Sequence, residues 1–404
     1  MSDPASPVSS ARPPWLSPWW FLGGLALGLV ALAVVGRRVA RMDYHPGYVR
    51  FFPQSSPETS YFPTLHEMTA IVRGECRPDQ VLVIVGGNSI LQGVWQPIEE
   101  VWSKHLQDLL GDHYCVVNLA FRGAGPANGG AVVAEVLRDE FPRQIYIANE
   151  APLTAVESLG YDPYRYLTWE AYFGGRLIDF APRKQVIAEY RATPAGRRVL
   201  IDAAIRSLFD RVLYFGDTWN WITFRHLCTV PSLYGAAIPE LLTPRAEIPD
   251  KESDATDPDI VAQRYAASVL DIETQIVRGF EAYMHPAANG HWDLAEATRT
   301  DLLQHFAAAF PDSLKRRTLM LISRSSPYYV HRLSPAEQAG YDEAFRDTVG
   351  LWRESGYDAM EYGRDFNDDD FGDRTHLSKL GGAKLAAAVA PEVRALAGRL
   401  GYLR

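Results

Sequence analysis

Two short clusters near opposite ends of the chain combine residue types suited to nucleophilic chemistry. Gly86-Gly87-Asn88-Ser89 follows the wholly apolar run Val81-Leu82-Val83-Ile84-Val85, and Asp373-Arg374-Thr375-His376 precedes a helix-like stretch. A serine hydroxyl attacks poorly until a base takes its proton, and an imidazole base works best when a carboxylate fixes its tautomer. Of the ten histidines, only His376 has an aspartate three residues before it. His331, after Tyr328-Tyr329 in a Pro-flanked stretch without a nearby acid, reads as structural. Taken singly, Ser89 reads as a helix N-cap, and so does Asp373 with His376 on the helix surface. Acyl-transfer chemistry requires a fold that brings the two clusters together.

The elements between them have the right pattern. Strand-like runs are Val81–Val85, Tyr114–Leu119, Gln144–Ala148, Thr318–Ser323 and Asp358–Tyr362. Helical patterns over Ile98–Leu110, Gly130–Arg138, Tyr341–Glu354 and Leu380–Leu400 alternate with them, the last interrupted at Pro391. Short apolar strands separated by amphipathic helices predict a parallel sheet of about five strands, covered on both faces in a three-layer α/β/α arrangement. Ligands of such sheets bind at the carboxyl edge. Ser89 follows the first strand, Gly123 the second and Asn149 the third, so all three fall there. Residues at about 155–312 exceed what this sheet needs. They read as a helical insertion capping the carboxyl edge, with helices at Val199–Leu213 and Ile260–Met284 and an acidic loop at Asp250–Asp259. The aromatic run Trp219–Phe224 reads as the insertion's own small core, or else as a substrate- or membrane-facing wall.

Composition narrows the function classes. With 404 residues, 47% of them hydrophobic, the chain can bury a large core. A net charge of −9 with no basic stripe excludes a nucleic-acid binder. The three cysteines, Cys76, Cys115 and Cys228, are widely spaced and odd in number. They predict neither a zinc site nor a disulfide framework, Cys115 reads as a small core residue, and the compartment stays open. No metal or other cofactor is expected.

From Trp15 to Val35 the chain carries no charge, and about 20 apolar residues span a bilayer as a helix. Trp15, Trp19 and Trp20 suit an interfacial belt. The exit, Gly36-Arg37-Arg38, lacks the small-residue pattern of a cleaved leader, so an uncleaved single anchor at 15–36 is expected. Residues 1–14 read as disordered, and 37–78 as a juxtamembrane linker packed on the domain at 79–404. Arg37, Arg38 and Arg41 after the anchor, against Arg12 and Asp3 before it, would leave that domain in the cytoplasm, although large domains often cross regardless.

Four blocks in order resemble the SGNH (GDSL-type) hydrolase family: Val85-Gly86-Gly87-Asn88-Ser89-Ile90, then Val117-Asn118-Leu119-Ala120-Phe121-Arg122-Gly123, Ile147-Ala148-Asn149-Glu150 and Asp373-Arg374-Thr375-His376-Leu377-Ser378. Asn88 stands where the family has Asp, and Ile147 where it usually has Gly. The resemblance covers about 79–150 and 317–390. It implies a flavodoxin-like domain with Ser89 as nucleophile, His376 as general base and Asp373 orienting the imidazole. The N–H groups of Ser89 and Gly123 and the side-chain amide of Asn149 would form the oxyanion hole. Asn118 and Asn88 are expected to bond local backbone. An anchored member implies an extracytoplasmic or periplasmic esterase or O-acyltransferase acting on acyl esters of envelope carbohydrate or lipid. The opposing class is a non-catalytic anchored scaffold of the same fold. Protein partners are not legible.

Overall fold

The computed structural model describes residues 18–41, 48–51, 62–121, 123–150, 152, 165–176, 181–224, 284–286 and 292–403. Expectations for 1–14, for the acidic loop at 250–259 and for nearly all of the helix at 260–284 lie outside these residues.

The main sheet has five parallel strands: β1 (Val81–Val85), β2 (Tyr114–Asn118), β3 (Gln144–Glu150), β6 (Thr318–Ser323) and β7 (Asp358–Tyr362). Their spatial order is β2-β1-β3-β6-β7. Every residue of β1 and β6 is buried, which is why these strands are continuous apolar runs rather than alternating ones. Their side chains divide by parity. Leu82 and Ile84 join one core, while Val81, Val83 and Val85 join a second on the opposite face. The first core is covered by α2 (Leu65–Glu75), α5 (Gly130–Val136) and α13 (Pro335–Glu354), and the second by α4 (Trp102–Leu110) and α14 (Lys379–Arg399).

Several boundaries differ from the sequence reading. Helix α13 begins six residues before Tyr341, because Ser334 and Glu337 form a reciprocal capping box with Pro335 in the first turn. Helix α14 runs unbroken through Pro391. Pro391 and Ala387, whose carbonyl loses its partner, both face solvent, so water can satisfy the freed group. The expected linker is largely structured: α2 lies within it, and Arg50 bridges to Asn118 alongside β2 while Phe51 stacks on Phe121 at 4.9 Å.

The cysteine expectation is overturned. Cys76 and Cys115 form a disulfide, Cα atoms 5.7 Å apart, that ties the end of α2 to β2. A separation of 39 residues hides this pairing from spacing rules, because only the packing of α2 on β2 brings the thiols together.

Helix α1 (Pro18–Val39) is long and apolar enough to cross a membrane. In the insertion region lie α6 (Arg165–Phe173), α7 (Ala181–Ala192), α8 (Pro194–Leu213), α9 (Phe215–Phe224) and α10 (Glu296–Ala309). A two-stranded antiparallel ribbon, β4 (Met284–Pro286) with β5 (Trp292–Leu294), was not legible in advance. Helix α6 reaches the carboxyl edge, where Thr168 Oγ1 donates to Asn128 Oδ1 at 3.4 Å in the loop after β2. Helix α6 packs on α2 and α5, and α8 and α9 pack on α1. The aromatic run forms α9, whose Trp219 is 54% exposed while Asn220 is buried against Phe62 and Glu67.

Candidate active site

The turn after β1 carries Ser89. Gly87 sits at φ +88°, and a Cβ there would lie 2.4 Å from Asn149 Oδ1, so only glycine fits both the conformation and the space. Asn88 then caps the short helix α3 (Ser89–Gln92), its Oδ1 accepting from the Ile90 N–H at 3.0 Å. Ser89 is the first residue of that helix, where a backbone N–H has no intrahelical partner.

Strand order places this turn at a switch point. β1 has β2 on one side and β3 on the other, so successive connections leave a crevice between the ends of β1 and β3. Asn149, on β3, is fastened across it to Asn88. The Asn88 N–H donates to Asn149 Oδ1 at 3.2 Å, and Asn149 Nδ2 donates to Asn88 Oδ1 at 2.9 Å. One N–H of the Asn149 amide is thus spent on holding the turn. The turn after β2 is joined to the same place by the Phe121 N–H, which donates to Gly87 O at 3.1 Å. Gly123 follows, exposed and at φ +71°, with open space where a Cβ would stand. The positive φ favours glycine there. Asn118 Oδ1 accepts the Ala120 N–H at 3.2 Å, the local backbone bond expected of it, while its Nδ2 reaches the distant Leu91 carbonyl at 3.0 Å.

His376 and Asp373 come from the connection between β7 and α14. Phe371 and Leu377 pair as an antiparallel bridge, with Gly372 N–H donating to His376 O at 2.8 Å, so residues 372–376 form a tight loop. That loop reaches across the sheet to β1. His376 Nε2 stands 2.7 Å from Ser89 Oγ, and its Nδ1 stands 2.7 Å from Asp373 Oδ2. Ser89, His376 and Asp373 are all partly accessible. The line of contacts assigns the tautomer: Nδ1–H donates to the carboxylate, leaving Nε2 to accept from the hydroxyl. Asp373 Oδ1 also accepts from the backbone N–H groups of Thr375 and His376, each at 2.9 Å. Burial alone would raise the Asp373 pKa. The His376 hydrogen bond and charge and the two N–H groups outweigh it, and hold the carboxyl well below the usual carboxylate range.

Trp95 joins the site without having been legible as part of it. Its indole Nε1 donates to Asp373 Oδ2 at 2.8 Å, and its backbone sits at φ +70°, a strained conformation for a bulky side chain. Two contacts hold it there. Gln96, fully buried, receives the Trp102 N–H at 2.8 Å and donates to Leu377 O at 3.3 Å, and Gly372 packs so closely that a Cβ would meet Trp95 Cβ at 2.8 Å. The signals were a Gly93 turn and a tryptophan in a loop, neither of which specifies a partner 278 residues away. His331 is exposed at the end of α12 (Pro327–Val330), where nothing ties it to Ser89.

Among the described residues no cluster of His, Cys, Asp or Glu has metal-site geometry. No protein-family model matches the chain, and no characterised protein matches it in sequence.

Proposed function

We infer that the chain is a serine acyl-transfer enzyme of the SGNH type, held to a membrane by α1 and working on acyl esters of envelope carbohydrate or lipid. The observation that carries this reading is the continuous line Ser89 Oγ, His376 Nε2, Nδ1 and Asp373 Oδ2, with both contacts at 2.7 Å. Supporting it, the sheet order counted along its own five strands is 2-1-3-4-5, the flavodoxin-like order, with the serine at the switch point.

In the reaction, Ser89 Oγ attacks the acyl carbon while its proton passes to His376 Nε2. The alkoxide leaving group takes that proton, and the acyl group remains on Ser89 as an ester. Water, or a sugar hydroxyl, then gives its proton to His376 and attacks, which releases the acid or the acylated sugar and restores Ser89. The Ser89 and Gly123 N–H groups and the remaining Asn149 amide N–H are the donors proposed for the oxyanion. One such donor is typically worth about 10²–10³ in rate.

One feature favours an extracytoplasmic domain and a second favours an anchor that stays attached. The Cys76–Cys115 disulfide is of a kind that persists in oxidising compartments and is rare in the cytosol. The last turns of α1 are built into the domain, with Gly36 and Val39 buried, which suits an anchor that is kept rather than cleaved. Arg41 and Tyr48 are seven residues apart, so the anchor ends within roughly 25 Å of the segment beside β2. The test is a serine-directed fluorophosphonate. Labelling of wild type and not of Ser89→Ala supports the enzyme, while an unlabelled wild type selects the non-catalytic scaffold.

A further inference from the structure

The exposed apolar surface outside α1 is concentrated on α8 and α9. Ile201, Ile205, Leu208 and Val212 follow one another at intervals of four, three and four residues, which sets them in a single stripe along α8. Phe215 and Trp219 continue it on α9. All six side chains are between 48% and 57% exposed. A contiguous apolar patch of this kind marks an interaction surface rather than ordinary surface scatter.

Its position identifies the occupant. The α8–α9 turn packs against the end of α1: a Cβ on Gly36 would lie 2.4 Å from Leu213 O, 2.8 Å from Tyr214 Cβ and 3.0 Å from Thr218 Oγ1. Gly36 is the last residue before Arg37 and Arg38, so it marks the level at which the apolar segment of α1 gives way to charge. Val212 and Phe215 flank the Leu213–Tyr214 turn that meets Gly36, so the exposed stripe comes up to the end of the anchor's apolar segment. Its charges fit the same partner. Helix α8 carries four arginines, Arg197, Arg198, Arg206 and Arg211, against two aspartates, Asp202 and Asp210. By helical spacing Arg197 and Arg198 lie at the head of the stripe and Arg211 to one side of it, while Arg206 is turned away toward Asp210. Arginine stems of this kind lie along apolar surface while the guanidinium reaches anionic headgroups.

We propose that α8 and α9 form a second, interfacial membrane contact, lying in the headgroup plane beside α1 with Ile201 to Trp219 dipping into the acyl boundary. The contact makes the domain's attachment two-point, so that the domain is held in one orientation on the bilayer instead of swinging from a tether. It rests on α1 crossing the bilayer and does not depend on whether Ser89 is catalytic.

The experiment is photo-crosslinking of the full-length chain in vesicles of phosphatidylethanolamine and phosphatidylglycerol. A diazirine amino acid is placed singly at Leu25, Leu208, Val212, Trp219 or Leu109, and adducts are read by mass spectrometry. Leu109 is 45% exposed on α4, which covers the face of the sheet opposite α2 and its α9 contacts, and serves as the apolar control. The proposal expects lipid adducts at Leu208, Val212 and Trp219 at levels approaching those at Leu25, about tenfold or more above Leu109. Adducts at Leu25 without adducts at the three α8–α9 positions would overturn the contact and leave the anchor standing. Crosslinks from those positions to a second copy of the chain would replace the bilayer by a dimer interface. No lipid adduct even at Leu25 would overturn both the anchor and the contact.

Discussion

Trp95 and His376 share one oxygen of Asp373: the indole N–H arrives at 2.8 Å and the imidazole Nδ1 at 2.7 Å. The carboxylate is thereby fixed from two sides, by an indole 278 residues before it and an imidazole three residues after it, and the geometry of the proposed base depends on both. Trp95→Phe keeps the ring and removes the donor. A hydrogen bond to a charged group is worth about 1.5–3 kcal/mol, so kcat is expected to fall about 10- to 100-fold with KM little changed. An unchanged kcat would reduce Trp95 to a packing residue.

Ser89→Ala should lower turnover of a short-chain aryl ester by about 10³–10⁶ while the thermal midpoint stays within a degree or so, because Ser89 is half-buried and its Oγ bonds only His376. Equal activity in the two proteins would end the hydrolase reading.

Asp373→Asn preserves shape but allows the imidazole to take the wrong tautomer, and is expected to cost orders of magnitude in kcat. His376→Ala combined with Ser89→Ala should be scarcely worse than either alone, since the two act as one unit. Asp373 is held well below the usual carboxylate range, so its own protonation should contribute no loss of activity in mild acid. A profile of kcat/KM against pH checks this, and fully additive losses in the double variant would detach His376 from Ser89.

The Cys76–Cys115 bridge gives a test of sidedness. In a Cys228→Ser background, alkylation in intact cells should modify neither remaining cysteine before reduction and both after it. Alkylation of Cys76 and Cys115 in that background without reduction would place the domain in a reducing compartment. Replacing both cysteines by alanine should cost about 3–4 kcal/mol, read from denaturant midpoints.

A buried polar cluster below the α1 junction predicts how stability follows pH. Thr64 Oγ1 donates to Asp217 Oδ1 at 2.6 Å, His66 Nδ1 lies 3.2 Å from Asp217 Oδ2, and Glu170 accepts the Leu65 N–H at 3.3 Å. Burial, with Asp210 and Asp217 nearby, pushes Glu170 up to about 7 against the pull of His66 and the Leu65 N–H. His66 is also raised: burial lowers it, but the hydrogen bond and charge of Asp217 and the charge of Glu170 prevail over burial and Arg176. Both groups therefore hold protons more tightly in the folded chain than in the unfolded one. Stability they contribute is present in mild acid and is lost as pH rises from the unfolded carboxylate range through neutrality. Thermal midpoints measured across that window should fall in wild type and fall less in Glu170→Gln. Parallel curves would show that Glu170 does not titrate there.

The elements that hold the site were legible because their signals are local. β1 and β6 match their apolar runs residue for residue, since strands buried on both faces tolerate no polar interruption within the run, and the half-buried β7 keeps its expected bounds with Ala359 and Tyr362 turned inward. The positions of Ser89, Gly123 and Asn149 at the carboxyl edge followed from that alternation alone, and the Asp-x-x-His spacing picked out His376 from ten histidines. What remained hidden depends on which elements become neighbours. The Cys76–Cys115 bridge needs α2 laid on β2, the Asn88–Asn149 pair needs β1 beside β3, and the Trp95–Asp373 bond needs the β7–α14 loop carried back across the sheet. The exposed stripe on α8 acquires meaning only once α1 is seen against it. Sequence periodicity records whether a residue is buried and on which side of its own helix or strand. It carries no term for the partner across the gap, and that choice belongs to the tertiary packing.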